Sequence, residues 1–200
     1  MRWVFVRHGE SEANRAGWLS GHRDVALTPA GEAQARALGE ALAGTAFARV
    51  CASDLQRAWR TAALALPAAP VEQHPALRER HLGAWEGRPR AALVADGGMS
   101  SLVSWVGAPP GGESQRDLAA RVLAWLAAQP PVASTLVVAH GGVLRVLAGL
   151  AEGVPLDAIG TRAFANTERW ACDASPADWH ALARRAQGAG AGVAPGARWA

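Results

Sequence analysis

The chain has 200 residues, of which half are apolar and 18% are charged. This length is typical of one domain with a substantial core, and the composition excludes a chain that is disordered throughout. The apolar stretches are interrupted by Arg, Asp or Gly before the roughly 20 residues that a membrane helix requires. Residues 2–7 carry arginine at both ends, which argues against a signal peptide.

The two cysteines, Cys51 and Cys172, are far apart and form no CxxC-type motif. We therefore expect a reduced, cytoplasmic protein without disulfides. The formal net charge is only +3, and the basic residues are dispersed, with Arg184-Arg185 as the longest basic run. A nucleic-acid-binding protein would carry a basic stripe, so we expect neither nucleic acid nor a membrane as a partner.

All 20 basic side chains are arginine, because the sequence contains no lysine. This excludes lysine Schiff-base chemistry and the lysine of the P-loop. Any cationic site must be built from arginine and histidine. The planar guanidinium group can donate two parallel hydrogen bonds to a phosphate, so phosphate is the anion that such a site suits.

The first half of the chain alternates strands with helices. Residues 2–7 predict a short buried strand, and a polar loop follows to about residue 27. Thr28-Pro29 is a typical helix start, with Gly44 as the stop. The other elements expected here are a strand over 48–52, a helix capped by Ser53 or Asp54 that runs to residue 66, and a strand near 71–74.

The second half contains the most hydrophobic strand, over residues 134–139, which we expect at the centre of the sheet. Together the elements predict an α/β fold, a three-layer sandwich with a mostly parallel central sheet flanked by helices, in one domain over 1–187. The remaining expectations are two short helical pieces in an irregular stretch over 86–112, helices over 113–129 and 142–151, a hairpin of strands near 163–172 and 179–184, and a flexible tail over 188–200.

Two of the predicted strands end in His-Gly, at His8-Gly9 and at His140-Gly141. Ligands of open α/β sheets collect beyond the carboxyl ends of strands, so we expect both histidines to face one pocket. The glycines let main-chain N–H groups approach an anion, and the helix after the second motif presents its positive end. A single strand-end histidine is more commonly structural, so the hypothesis depends on the pair.

Two further candidate arginines lie in the predicted helix that Ser53 or Asp54 caps. Arg57 lies in the first turn of a predicted helix, from where it can reach the same crevice, whereas Arg60 is interpreted as a surface or packing residue. No HxH, HExxH or Cys/His pairing occurs, so we expect neither a metal ion nor another cofactor.

These residues belong to five longer motifs, which are Arg7-His8-Gly9-Glu10-Ser11-Glu12-Ala13-Asn14, Leu27-Thr28-x-x-Gly31, Ser53-x-Leu55-x-Arg57-Ala58-x-x-Thr61-Ala62, Leu77-Arg78-Glu79 with Trp85-Glu86-Gly87, and Ala139-His140-Gly141-Gly142. In this order they resemble the histidine phosphatase superfamily, in the branch of cofactor-dependent phosphoglycerate mutases and small-molecule phosphatases. The matching blocks cover residues 2 to about 150. The resemblance implies a phosphoglycerate mutase-like fold and phosphoryl transfer through a phosphohistidine.

The resemblance also implies a role for each matched residue. His8 is the expected nucleophile, and Arg7 and Arg57 are the expected phosphate-binding arginines. His140 is the second histidine of the site, and Glu79 gives a proton to the leaving alcohol and later takes one from water. Further contacts to phosphate or substrate are expected from Asn14, Ser20, Gly21 and Gly141.

Nearby polar residues have competing interpretations. We expect a backbone carbonyl to hold the second ring nitrogen of His8. Glu86 is interpreted as a residue that fixes its loop, and Glu10 and Glu12 as partners of nearby arginines. For His22, a contact at the substrate mouth and a plain loop role both stay open.

The choice between phosphatase and mutase rests on residues 88–112. The mutases of the family carry a further basic cluster after the glutamate, but this stretch has only Arg88 and Arg90, among apolar side chains. It favours hydrolysis of a small-molecule phosphate ester with an apolar leaving group. Residues 18–22 and 109–114 resemble α-ribazole phosphatases of cobalamin synthesis. A phosphoglycerate mutase and a non-catalytic phospho-ligand binding module are the alternatives, and a homodimer is left open.

Overall fold

The computed structural model describes residues 1–188 and 198–199. In this part of the chain, six strands form one sheet: β1 (Arg2–Arg7), β2 (Arg49–Ala52), β3 (Glu72–Gln73), β4 (Ser134–Ala139), β5 (Arg169–Asp173) and β6 (Arg198–Trp199). The α-helices described are α1 (Glu12–Ala16), α2 (Pro29–Ala41), α3 (Gln56–Ala65), α4 (Arg90–Ala95), α5 (Met99–Val103), α6 (Gln115–Ala127), α7 (Gly141–Ala151) and α8 (Pro176–Ala186). Single 3-10 turns cover Pro75–Leu77, Gly83–Trp85 and Ile159–Thr161.

The strand order is β3-β2-β4-β1-β5-β6. The first four strands in this order pair in parallel, whereas β5 is antiparallel to β1 and β6 is antiparallel to β5. The strand predicted to be central, β4, lies between β2 and β1. Arg7 stands opposite Ala139 in the parallel register, so the next residues, His8 and His140, leave the sheet side by side.

Helices cover both faces of the sheet, which confirms the predicted α/β sandwich. Successive side chains of a strand point to opposite faces. On one face Val6 packs in a cluster with Leu38 of α2 and with side chains of α3. On the other face Trp3 and Phe5 pack with α6, α7 and α8, and Trp3 meets Trp179 of α8 edge-on with ring centroids 5.8 Å apart.

Helix capping explains where the long helices start. The Thr28 hydroxyl accepts a hydrogen bond from the main-chain N–H of Gly31, and Pro29 occupies the first helical position of α2. Ser114 and Asp117 form a reciprocal capping box at the start of α6. The two short helical pieces expected within 86–112 are α4 and α5.

The predicted C-terminal hairpin is wrong in its second strand, because residues 179–184 lie in α8. Ser175 caps this helix, Asp178 completes the capping box, and Pro176 stands at the first helical position. Trp179 and Leu182 are buried on the inner side of α8. The buried residues Trp179, Leu182 and Ala186 follow one another at intervals of three and four residues, which is the spacing of one face of an amphipathic helix.

Two other boundaries differ from prediction. The loop expected up to residue 27 contains the short helix α1, capped by Ser11. The helix expected from Ser53 or Asp54 begins at Gln56, with Leu55 at its N-cap and no side-chain cap. The Asp54 carboxylate is instead bound by the guanidinium of Arg78.

Most of the predicted tail over 188–200 lies outside the described residues. Within it, Arg198–Trp199 forms β6 and pairs with Cys172 and Asp173 of β5. One domain over 1–187 followed by a flexible tail stays a prediction. Of the helices described, none combines the length and the hydrophobicity needed to cross a membrane.

Candidate active site

The carboxyl ends of β1 and β4 bring two histidines together. The ring centroids of His8 and His140 are 5.2 Å apart, and the rings are inclined at 64°. His8 is 4% exposed and His140 is completely buried. The predicted proximity of the two rings is thereby confirmed.

The hydrogen bonding of His8 fixes its tautomer. Its Nδ1 lies 2.7 Å from the carbonyl oxygen of Gly9, so Nδ1–H donates and Nε2 keeps its lone pair. The pKa of His8 is well below its usual value because the ring is buried and because Arg57 and Arg7 add positive charge; the hydrogen bond to the Gly9 carbonyl acts in the opposite direction. His8 is therefore neutral at pH 7. The expected backbone carbonyl partner is confirmed.

His140 is held by its backbone at the N-cap of α7. Among the described residues, neither of its ring nitrogens has a hydrogen-bond partner. The pKa of His140 is well below its usual value, mainly because the ring is buried and secondly because Arg57 adds positive charge. A buried neutral imidazole with a free N–H is a hydrogen-bond donor for a ligand, since buried polar groups are nearly always satisfied.

Arg57 is a fully buried cation near the two histidines. It lies fully buried in the first turn of α3, and its two terminal nitrogens donate to the carbonyl oxygens of Gly21 and Arg23, each at 2.8 Å. Its Nε has no partner within the described residues. Burial lowers the pKa of Arg57 to about 10, with Glu79 acting in the opposite direction, so the group stays charged at neutral pH.

Arg7 and the loop before β5 form further hydrogen bonds next to His8. One terminal nitrogen of Arg7 donates to the carbonyl of Phe164, and its Nε is unpartnered in the described structure. The side chain of Asn166 donates to the carbonyl oxygen of His8 at 2.9 Å and to Oδ1 of Asn14 at 3.2 Å. Asn166 therefore links the backbone of His8, the predicted nucleophile, to Asn14, a predicted substrate contact, and sequence reasoning missed this role.

The N-terminus of α7 holds the carboxylate of Glu79. Oε2 accepts from the main-chain N–H of Gly142 at 3.0 Å, and Oε1 accepts from the N–H of Arg80 at 2.8 Å. A side chain at position 142 would place its Cβ 2.0 Å from Oε1 of Glu79. Glycine is required there because it lets the carboxylate approach the positive end of the helix.

A second layer of polar residues holds the main chain around Glu79. Arg121 binds both carboxylate oxygens of Glu113 and donates to the carbonyl of Glu79. His22 Nε2 lies 2.8 Å from the same carbonyl, and the N–H of His22 donates to Glu86. These contacts confirm the loop-fixing interpretation of Glu86 and favour the loop role of His22. Sequence reasoning missed Arg121, because the Glu79 carbonyl that it binds is 42 residues away in the chain.

Three charged residues at the edge of the site have structural partners. Arg60 pairs with an exposed carboxylate of α2, and Glu12 pairs with Arg15, as predicted. The prediction for Glu10 is wrong, because its carboxylate accepts from the Thr28 hydroxyl at 2.7 Å rather than pairing with an arginine. That bond ties the segment after His8 to the start of α2.

A cavity of about 350 Å³ opens over this cluster. The predicted site residues that line it are Arg7, Asn14, Ser20, Gly21, Glu79 and Gly141. His8, Arg57 and His140 are buried and do not line it, but Arg7 and Gly141 are the chain neighbours of the two histidines. The histidine pair is therefore connected through the chain to two residues of the cavity wall.

A family model described as the histidine phosphatase superfamily (branch 1) matches residues 3–186 of the chain. The chain belongs to this family. The match covers the sheet from β1 to β5, both helical layers and every predicted site residue.

Relatives within the histidine phosphatase superfamily carry different activities in their names. The chain is 39% identical to the 2,3-bisphosphoglycerate-dependent phosphoglycerate mutase 2 of Gloeobacter violaceus, over 72% of each protein. It is also 39% identical to the adenosylcobalamin/alpha-ribazole phosphatase of Salmonella typhimurium, over 74% of this chain and 77% of that one. A mycobacterial glucosyl-3-phosphoglycerate phosphatase solved with VO3 has a TM-score of 0.78 at 30% identity, over 86% and 92% of the two chains.

One cluster of possible metal ligands occurs in the described part of this histidine phosphatase. Ligand atoms of Cys51, Glu72 and His74 lie within 4.8 Å of one another. The Glu72 carboxylate is already bound by the Arg49 guanidinium, at 3.0 Å and 2.5 Å. The charge of Glu72 is thus compensated by an arginine, so the cluster is interpreted as an ion pair beside a histidine.

Proposed function

We propose that this histidine phosphatase hydrolyses small-molecule phosphate monoesters through a phosphohistidine at His8. The observation that carries the proposal is the set of buried nitrogens beside His8, namely Nε of Arg7, Nε of Arg57 and the ring of His140, which have no partner among the described residues. Buried donors without acceptors are costly in a folded protein. A bound phosphoryl group supplies the missing acceptors.

In the first step, Nε2 of His8 attacks phosphorus and the bond from phosphorus to the ester oxygen breaks. The negative charge spreads over the three remaining oxygens, where Arg7, Arg57 and His140 stabilise it. Glu79 gives a proton to the departing alkoxide. The products of this step are the free alcohol and a phosphorylated His8.

In the second step, water attacks the phosphorus of the phosphohistidine. Glu79, which lost its proton in the first step, takes one from the water, and the bond from phosphorus to nitrogen breaks. Inorganic phosphate leaves, and His8 returns to its neutral state with Nδ1–H on the Gly9 carbonyl. The low pKa of His8 supports this role, because the ring holds no proton on Nε2 that would block attack.

The substrate assignment is the finer part of the proposal. Relatives named alpha-ribazole phosphatase, and the positions of Ser20 and Gly21 on the cavity wall, make α-ribazole phosphate one substrate to assay. Hydrolysis is favoured over mutase activity because residues 88–112 lack an adjacent basic pair. We also propose a cytoplasmic location, which the two free cysteines, Cys51 and Cys172, support.

Turnover of p-nitrophenyl phosphate in the presence of EDTA tests the function. We expect His8→Ala to lower kcat/KM by about a thousandfold or more. His180→Ala, which removes an exposed histidine on α8, is the matched control and should retain wild-type turnover. A phosphoryl group on the wild type, absent from His8→Ala, should be detected by intact mass spectrometry.

The alternatives give different results in the same series. Binding of phosphate esters without turnover would identify a non-catalytic binding module. Conversion of 3-phosphoglycerate to 2-phosphoglycerate in the presence of 2,3-bisphosphoglycerate, without release of inorganic phosphate, would identify a mutase. Equal turnover by wild type and His8→Ala would overturn the proposed nucleophile.

A further inference from the structure

Gln115 lines the active-site cavity and has one half of its side-chain amide without a partner. It is the first residue of α6, and it is 1% exposed. Its Nε2 donates to the carbonyl oxygen of Val103 at 2.7 Å and to that of Ser104 at 3.3 Å. Its Oε1 is buried and has no hydrogen-bond partner among the described residues. The mechanism proposed above makes no use of this oxygen.

The partners of Nε2 fix the orientation of the Gln115 amide. A reversed amide would bring Oε1 against two carbonyl oxygens, which have no hydrogen to donate, so the nitrogen must face them. Gly160 packs against the same amide. A Cβ at position 160 would stand 2.5 Å from Nε2 and would overlap the carbonyl oxygen of Val103. The side chain of Gln115 is therefore held in one position by its surroundings.

Capping of α5 explains the nitrogen of this amide but not the oxygen. Val103 is the last residue of α5 and Ser104 is its C-cap, and the last carbonyl groups of a helix have no partner within it. The NH2 group of Gln115 satisfies two of these carbonyls. The oxygen keeps two lone pairs, and a buried acceptor without a donor is unfavourable. A donor from a ligand in the cavity would satisfy it.

The wall residues next to Gln115 have no polar side chain. They are Val103, which it binds, Leu118, which lies three residues further along α6, and Gly160. A single polar group on an apolar wall is a typical determinant of ligand orientation and specificity. Arginines elsewhere on the cavity wall disfavour a cationic donor. The donor that suits this position is therefore a neutral group, and a hydroxyl is the neutral donor that alcohol leaving groups carry.

We propose that Oε1 of Gln115 accepts a hydrogen bond from a hydroxyl group on the leaving group of the substrate. The inference rests on the proposed function and specifies its substrate class as phosphate monoesters whose alcohol carries a further hydroxyl, such as those of polyols and sugars. Gln115 then determines specificity and takes no part in breaking the bond to phosphorus. The apolar residues beside it contact carbon atoms of the same leaving group.

Pairs of esters that differ only in hydroxyl groups test the inference. One pair is glycerol 3-phosphate and propyl phosphate. The other is adenosine 5′-phosphate and its 2′,3′-dideoxy analogue, whose missing hydroxyls lie further from phosphorus. In at least one pair we expect the wild type to release phosphate from the hydroxylated ester with a kcat/KM about tenfold or more higher, because the deoxy ester leaves Oε1 without a donor.

Two variants of Gln115 remove the acceptor or withdraw it. Gln115→Met keeps the length of the side chain and should lower the preference to about twofold or less. Gln115→Asn keeps an amide but is one carbon shorter; it should also lower the preference, and it replaces the first variant if that one fails to fold. The matched control is Gln129→Met, whose lost oxygen accepts from Arg49 and which does not line the cavity. Gln129→Met should keep the wild-type preference.

A purely structural role for Gln115 gives a different result. Nη1 of Arg80 also lacks a partner among the described residues, and Nη2 of the same group donates to the carbonyl of Leu102 at 2.8 Å. A pairing of Arg80 with Oε1 of Gln115 would stabilise the fold without contacting the substrate. Gln115→Met would then lower the urea midpoint of unfolding and leave the preference between the esters as in the wild type. That outcome would overturn the inference.

Turnover and binding are measured separately, so the two proposals can fail independently. Calorimetric titration of the His8→Ala variant with the same esters measures the hydroxyl preference without hydrolysis. Equal kcat/KM values and equal affinities within both pairs would overturn the role of Gln115, while phosphate release would leave the proposed function intact. Tighter binding of the hydroxylated esters, lost in His8→Ala/Gln115→Met, without phosphate release by the wild type would support the role of Gln115 and overturn the proposed function.

Discussion

His8 shows how a single residue acquires its chemistry from its surroundings. Its Nδ1–H is bound by the carbonyl of the next residue, Gly9, and burial beside two arginines keeps the ring neutral. A neutral imidazole with a fixed tautomer presents a lone pair at Nε2 throughout the neutral pH range. In the proposed mechanism, the two arginines that stabilise the phosphoryl oxygens thus also act with burial to keep the nucleophile unprotonated.

Glu79→Gln tests proton transfer at the level of one side chain. The amide cannot give a proton to an alkoxide, so we expect turnover of an alkyl phosphate to fall by about 10²–10⁴-fold. Phosphorylation of His8 by an activated phosphate, whose leaving group needs no proton, should persist. Single-turnover measurements on both esters, with the exposed Glu40→Gln on α2 as the control, separate the two steps. Unchanged turnover of the alkyl ester would remove Glu79 from the mechanism.

Among the secondary-structure elements, α7 contributes to the site in two ways through its first turn. Its N-cap residue is His140, and the N–H of Gly142 holds the Glu79 carboxylate. In the proposed mechanism, the helix thereby couples phosphate binding at His140 to proton transfer at Glu79. Its inner face, from Val143 to Leu150, is buried in the larger core cluster, which fixes the position of that turn.

Gly142→Ala tests this coupling. The added methyl group would stand 2.0 Å from Oε1 of Glu79, so the carboxylate must move away from α7. We expect kcat for an alkyl phosphate to fall by about ten- to a hundredfold, and that for p-nitrophenyl phosphate to fall much less, because its leaving group needs no proton. A parallel loss on both esters would show that the methyl group disturbs phosphate binding instead.

The elements that the sequence predicts well are those with strong local signals. Residues 134–139 form an uninterrupted apolar run and are strand β4, and Thr28-Pro29 begins α2. The strand predicted at residues 179–184 is wrong, although the sequence contains the Ser175-x-x-Asp178 capping box, which is typical of a helix start. The short helix α1 was missed because five residues give almost no periodicity.

The residues proposed to react lie in sequence motifs, whereas the residues that support them do not. His8, Arg57, Glu79 and His140 lie in recognisable motifs, and the structure brings their segments together. Arg121 and Asn166 carry no local signal, since the carbonyl groups that they bind, those of Glu79 and His8, are 42 and 158 residues away in the chain. Only the folded chain brings these residues together with their partners.

At the scale of the whole molecule, the buried site affects stability as a function of pH. The pKa values of His8 and His140 are lowered by folding, so below about pH 6.5 the unfolded chain binds protons that the folded chain does not. The free energy of unfolding should therefore fall as the pH decreases from 6.5 to 5, by up to about 1.4 kcal/mol per pH unit for each histidine.

Urea unfolding at several pH values measures this effect. The double variant His8→Gln/His140→Gln lacks both titrating rings, so its free energy of unfolding should depend less steeply on pH over this interval. Equal slopes for the wild type and the double variant would contradict the prediction. The lowered pKa of Asp54 and of Glu113 acts in the same direction but at lower pH, because unfolded carboxylates titrate near pH 4.

The register of β1 against β4 sets the distance between the two imidazole rings. Main-chain hydrogen bonds between two adjacent parallel strands set the spacing of the paired imidazoles, so no loop has to maintain it. A slip of one residue would carry one ring about 3.3 Å along the strand and turn it to the opposite face. Insertions and substitutions in the loops above the sheet can therefore change the substrate specificity of such an enzyme without moving the two rings. A deletion of one residue inside either strand would instead abolish its activity.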